Sequence, residues 1–155
     1  MSDATFGDGR EAPLNLGAED AEDLTVLSAL VQDAVFGTGD MVWERGSRRF
    51  SVLLNRFRWE DAGVTRHGPE RVRSVLAIEN VLSVASQGVD RADRDLVLSL
   101  LSVSFEAGEE APGGAVLLTL AGDGAIRITV EAPQARLRDV TRPYAAVSGR
   151  IPRHD

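Results

Sequence analysis

The sequence predicts an α+β fold: one N-terminal amphipathic helix packed on a curled, mainly antiparallel sheet of about seven or eight strands, one form of which is a partly closed barrel. Three observations carry this. A 3.6-residue apolar period occurs once, near the start. After residue 40 the period becomes two and stays there. The connections are short and strands do not alternate with helices, which argues for antiparallel neighbours and against a parallel sheet. At 155 residues the chain fits one domain with a substantial core.

Residues 1–16 are polar, lack periodicity and read as a mobile tail. In "GAEDAEDLTVLSALVQDAVFGTGD", Leu24, Leu27, Val31 and Ala34 form one stripe, flanked by Leu30 and Val35. Asp20 is placed to cap this helix and the following acids suit its positive end. Gly37 is the expected stop, giving about five turns. Candidate strands are 41–45, 49–59, 71–79, 81–87, 96–105, 115–121, 125–131 and 135–139. "LVLSLLSVSF" is apolar or small on both faces and reads as an internal strand. "AVLLTLAGDGAIRITVE" reads as a hairpin turning at Gly122 to Gly124. The globular domain is taken as 17–140, with a loosely ordered tail over 141–155.

The densest chemistry lies in "VWERGSRRFSVLLNRFRWE". Gly46-Ser47 suits a two-residue type II′ turn, pairing Trp43 with Phe50, Met41 with Val52 and Glu44 with Arg49. The aromatic and opposite-charge pairs each favour this register by about 0.2–1 kcal/mol. Phe50, Val52 and Leu54 share a face, but the next apolar residues, Phe57 and Trp59, have the other parity. A β-bulge near Asn55 would restore them to the core and leave Arg49, Arg56 and Arg58 outside. Without it, Arg56 and Arg58 would point into a concave sheet and meet a carboxylate or phosphate. With Arg71 and Arg73 opening the next strand, these five arginines are the candidate binding residues. Aromatics and arginines that alternate along a strand lie on opposite faces, which disfavours a base-stacking platform.

Composition narrows the chemistry. Cysteine and lysine are both absent, so thiol nucleophiles, cysteine zinc sites, Schiff bases and a P-loop lysine are excluded. The net charge is −7, but residues 41–73 carry eight arginines against four acids, so any anion binding falls on that segment. His67 sits in a polar turn with no second ligand to share a metal. Asp90, Asp93 and Asp95 lack EF-hand spacing and read as a charged turn. "GTG" and "GDG" are misplaced for phosphate loops, the serines have no placed histidine, and Glu109-Glu110 reads as a hydrated pair. No metal or cofactor is expected. Gln32, Asp33, Asn55 and Gln87, polar within apolar patterns, are candidate buried or pocket residues. No apolar run nears the ~20 residues of a membrane span, and the start lacks the apolar core of a signal peptide, so a cytoplasmic protein without membrane contact is expected.

"LVQDAVFGTGDMVW", "LLNRFRWE", "VLSVASQGVD" and "VLLTLAGDGAIRITVE", in this order, resemble a family of small alphaproteobacterial proteins catalogued only as a domain of unknown function. The resemblance covers about residues 20–140. It implies a bacterial, cytoplasmic, single-domain protein and brings no activity, ligand or catalytic residue.

The functional expectation is a binding or adaptor module, leaning against an enzyme, that contacts a protein partner or a second copy through a sheet face or the arginine-rich hairpin. The alternative is a pocket between helix and sheet for a small anion, or for Asp/Glu/Arg chemistry. Nucleic-acid binding comes third and is disfavoured by the overall acidity.

Overall fold

The computed structural model describes residues 13–59, 70–90, 92–141 and 144–145. Asp20 caps the helix α1 (Ala21–Val31) as expected, its carboxylate accepting the Asp23 N–H at 2.8 Å. The Asp23 carboxylate in turn accepts the Glu19 N–H at 3.0 Å. Leu24, Leu27 and Val31 are buried along one stripe. The helix stops at Val31, not at Gly37. Asp33 adopts φ 65° and donates its N–H to the Leu100 carbonyl at 2.8 Å, while Leu100 N–H returns to the Ala34 carbonyl at 2.8 Å. Pairing with a distant strand overrides the local helical period beyond that point.

Every expected strand is present: β3 (Met41–Glu44), β4 (Arg49–Phe57), β5 (Glu70–Ile78), β6 (Val81–Gln87), β7 (Val97–Ala107), β8 (Gly114–Leu120), β9 (Ala125–Val130) and β10 (Ala135–Asp139). Three short strands were not anticipated: β1 (Asn15–Ala18), β2 (Val35–Gly37) and β11 (Tyr144–Ala145). The count is therefore eleven among the described residues, not seven or eight, and the helix follows a strand instead of opening the fold. Residues 15 and 16, which the sequence places in a tail, belong to β1 because Leu16 and the preceding Leu14 pack against the core.

The order is β1-β10-β5-β4-β2-β7-β8-β9-β6, with β3 beside β4 and β11 beside β5; all the described pairings are antiparallel. The sheet is not closed into a barrel: its ends, β1 and β6, do not pair with each other. It is curled enough that Val52, Leu54 and Leu76 from one half join Val116, Leu118 and Ile128 from the other, with Leu27 of α1, in one core. Each such fully buried leucine stabilises the fold by about 1.5–3 kcal/mol relative to exposure. An apolar cleft of about 170 Å³, lined by Met41, Trp43, Phe50, Val84 and Ile126, separates β3 from β6. One end is drawn together by the Val81 N–H bonded to the Arg48 carbonyl at 2.9 Å.

The β3–β4 register matches expectation: Trp43 opposite Phe50, Met41 opposite Val52 and Glu44 opposite Arg49. The turn does not. Gly46 is not in the positive-φ region a type II′ turn requires; Arg48 is, at φ 55°, and it closes a four-residue loop by donating to the Arg45 carbonyl at 3.2 Å. The β8–β9 turn carries positive φ at Gly122 (81°) and Asp123 (68°), the pattern of a type I′ turn.

No bulge occurs near Asn55: β4 pairs with β5 without interruption from Phe50–Ile78 to Phe57–Arg71. The expected parity flip lies in β7 instead, where register shifts between Leu100 and Ser102. The shift lets both Leu100 and Val103 face the core. The Ser28 hydroxyl of α1 accepts the Val103 N–H at 2.8 Å just past this irregularity, tying helix to sheet.

Candidate functional site

Continuous pairing of β4 decides where its arginines go. Side chains alternate, so Phe50, Val52, Leu54 and Arg56 face inward while Arg49, Ser51, Leu53 and Asn55 face outward. The solvated-face placement of Arg56 and Arg58, which needed the bulge, is overturned, and the alternative without a bulge holds: both turn inward to a carboxylate, Arg56 0% exposed and Arg58 5%.

Burial of the Arg56 charge is possible because its neighbours supply oxygen. Nη2 donates to Asp139 Oδ1 at 2.9 Å, Nε to Ser74 Oγ at 2.9 Å and Nη1 to the Phe57 carbonyl at 3.2 Å. Ser74 donates its hydroxyl to the same Asp139 oxygen at 2.7 Å. The second carboxylate oxygen accepts the Leu14 N–H at 2.9 Å, so the cluster also fastens the approach to β1. At the end of β4, Arg58 Nη1 donates to Glu70 at 3.0 Å, and Trp59 donates its indole N–H to the Gln32 carbonyl at 2.8 Å. Sequence reasoning missed Ser74 and Asp139. The available signal was phase: each falls in step with a buried apolar series, Val72–Leu76–Ile78 and Ala135–Leu137.

The outer face collects the remaining candidates. It is the solvent side of the ladder β3–β4–β5–β10–β1, where register aligns Val42, Ser51, Ala77, Arg136 and Gly17 in one row. The next row holds Leu53, Val75, Arg138 and Asn15. A broad groove of about 640 Å³ crosses these rows, floored by Ser51, Val75 and Ala77. Glu19, Glu44, Arg49 and Glu79 border it toward one end of the strands, and Arg136 and Arg138 follow in the next two rows along β10.

The arginines here are not equivalent. Arg49 bonds Glu79 at 2.8 Å, and that hydrogen bond and charge, helped by Glu44, hold its guanidinium above its ordinary pKa. Arg71 is engaged locally, donating to the Asn55 side chain and carbonyl and lying 4.1 Å over the Phe57 ring. Arg136 donates to the neutral Asn15 Oδ1 at 2.6 Å. Arg73, Arg136 and Arg138 are exposed and, among the described residues, make no ion pair. The planar forks of these arginines can bind anions and orient them.

The proposed polar pocket residues are scattered. Asp33 is buried beside β7, Asn55 is held by Arg71, and Gln87 is exposed at the end of β6, contrary to its assignment as a buried polar group. The strand end leaves it in solvent, with Ala125 opposite. The groove beside Asn55, about 200 Å³, is lined also by Phe36, Asp40 and Arg73, and not by Gln32, Asp33, Arg56 or Arg58. Among the described residues no group of three or more His, Cys, Asp or Glu side chains converges on a metal position; His67 lies outside them. In the 90–95 turn, Asp90 and Asp93 each accept a backbone N–H two residues ahead, at 3.0 Å, which makes them turn-formers. No described helix is long and apolar enough to cross a membrane.

These features define an α+β protein with an open antiparallel sheet whose outer face carries unpaired arginines. Residues 14–154 match the model of a family described as "Protein of unknown function (DUF2948)", and the chain belongs to that family. No match was found among curated proteins or among solved structures.

Proposed function

We propose that the protein is a non-enzymatic binding module that docks a protein partner on the outer face of the β3–β4–β5–β10–β1 ladder. One observation carries this reading: Arg136 and Arg138 stand exposed along a groove floored by Ser51, Val75 and Ala77, with Arg73 exposed just beyond it on the same face, and no acid is paired to any of the three among the described residues. Arginine is enriched in protein interfaces because its planar fork binds carboxylates bidentately and is weakly hydrated. A photo-crosslinking residue in place of Val42, which is 49% exposed on this face, tests it against the same residue in place of Val26 on α1, which is 58% exposed. The expected result is one protein captured in native lysate from position 42 and not from position 26. Equal capture from both positions, or none, ends the proposal.

A second reading, association of two copies, is favoured by β6. This strand ends the sheet, its sequence "VLSVASQ" has no charge or proline to discourage edge pairing, and Leu82 is 51% exposed. Sedimentation of Leu82→Lys beside the parent protein tests it: a parent dimer that dissociates in the variant supports it, and a parent monomer at high concentration removes it.

A further inference from the structure

We infer that the partner's contact is an extended acidic segment with carboxylates on alternate residues, lying along β10. This rests on the docking-face reading above and specifies its ligand.

The spacing of the arginines carries the argument. Arg136 and Arg138 are two apart on one strand and share a face, which separates them by about 6.5–7 Å. Register sets Arg138 opposite Val75, so Arg73 is its diagonal neighbour on β5, about 7–8 Å away. The three therefore form a row with a step of about 7 Å. An extended peptide repeats its same-side side chains at that step. Alternate carboxylates can thus each meet a guanidinium while the residues between them point to solvent.

The surroundings suit a peptide backbone. Arg136 is already oriented by Asn15, and Gly17 leaves it room: a Cβ at Gly17 would lie 3.3 Å from its Nη2. The floor of Ser51, Val75 and Ala77 is low enough for main chain to approach. The row stops at Arg136: its diagonal neighbour at that end is Glu79, already paired with Arg49, and with Glu19 and Glu44 it forms a glutamate margin that repels a ligand acidic throughout and confines the carboxylates to the three arginines. The groove crosses four inter-strand gaps, roughly 19 Å, too broad and open to grip a small metabolite. A polynucleotide fits less well, since its continuous negative charge would meet both the glutamate margin and a chain of net charge −7.

The test is fluorescence anisotropy with the full chain and a short labelled peptide alternating glutamate and serine. Expected are saturable binding that weakens with salt, a loss of at least about tenfold in affinity in R136E/R138E, and no change in R127E. Arg127 is exposed on β9 and paired with Glu106, so it controls for global charge. Both residues altered in the double variant are exposed, and matching thermal unfolding to the parent verifies the fold. Absence of binding, equal binding by the double variant, or tighter binding of an oligothymidine would overturn the inference. If position 42 still crosslinks a protein in those cases, the docking face stands without the acidic ligand. If it does not, the docking reading falls as well.

Discussion

Arg56 and Arg49 lie seven positions apart on the same strand, yet one is sealed in the core and the other stands in water. Both have a carboxylate partner at similar distance, 2.9 Å for Arg56–Asp139 and 2.8 Å for Arg49–Glu79. The difference is the medium. Around Arg56 no water replaces a lost partner, so every donor must find protein oxygen and each missing oxygen is costly. Around Arg49 solvent compensates any change, and holding two long side chains together offsets most of the attraction. The inner cluster therefore governs stability, and the ion pairs of the outer face contribute little to it.

The largest expected effect breaks the inner pair. Arg56→Met should cost about 3–5 kcal/mol of unfolding free energy in urea, because Asp139 stays buried without its cation. The double variant Arg56→Met/Asp139→Leu should regain much of that loss. If it regains none, packing and not charge holds the site. Next is Ser74→Ala, expected to cost about 1–3 kcal/mol by removing a hydroxyl that bonds both charged partners. Smallest is Arg49→Ala, whose denaturation midpoint should be indistinguishable from the parent. The raised Arg49 pKa gives a matching sign: that contact is complete below the ordinary arginine range and is lost only as pH rises beyond it, so stability near neutrality should not depend on this residue's titration. A marked destabilisation of Arg49→Ala would erase the contrast between the faces.

Much of the sheet was legible because period and turn chemistry are local. Eight strands follow from alternation, and the pairing of Trp43 with Phe50 from centring the turn on Gly46-Ser47. What escaped was set by distant chain. Val35–Gly37 continues a helical period, but hydrogen bonds to β7 draw it into the sheet. Asn15–Ala18 is too short and polar to announce a strand, and is recruited by β10. The Arg56 error is the most instructive. Parity assigned an arginine to the apolar face, and a bulge was invoked to remove it. Asp139 and Ser74 lay in the same phase on strands far along the chain, and reading three polar residues in apolar register as one cluster would have left β4 straight. Of the candidate arginines, Arg49, Arg71 and Arg73 reach the outer face, while Arg136 and Arg138 went unnoticed inside a short strand.

Asp139 joins parts of the chain that leave the ribosome at very different times. Its contacts reach back 65 residues to Ser74, 83 to Arg56 and 125 to Leu14. A nascent chain lacking this carboxylate has a guanidinium and a hydroxyl on the inner side of β4 and β5 with their anion still unsynthesised. Those strand ends are better hydrated than docked until Asp139 emerges. Strand β10 thus gates the interior: closure waits until this strand has been made, and chains terminated before residue 139 should remain open and be removed by proteases.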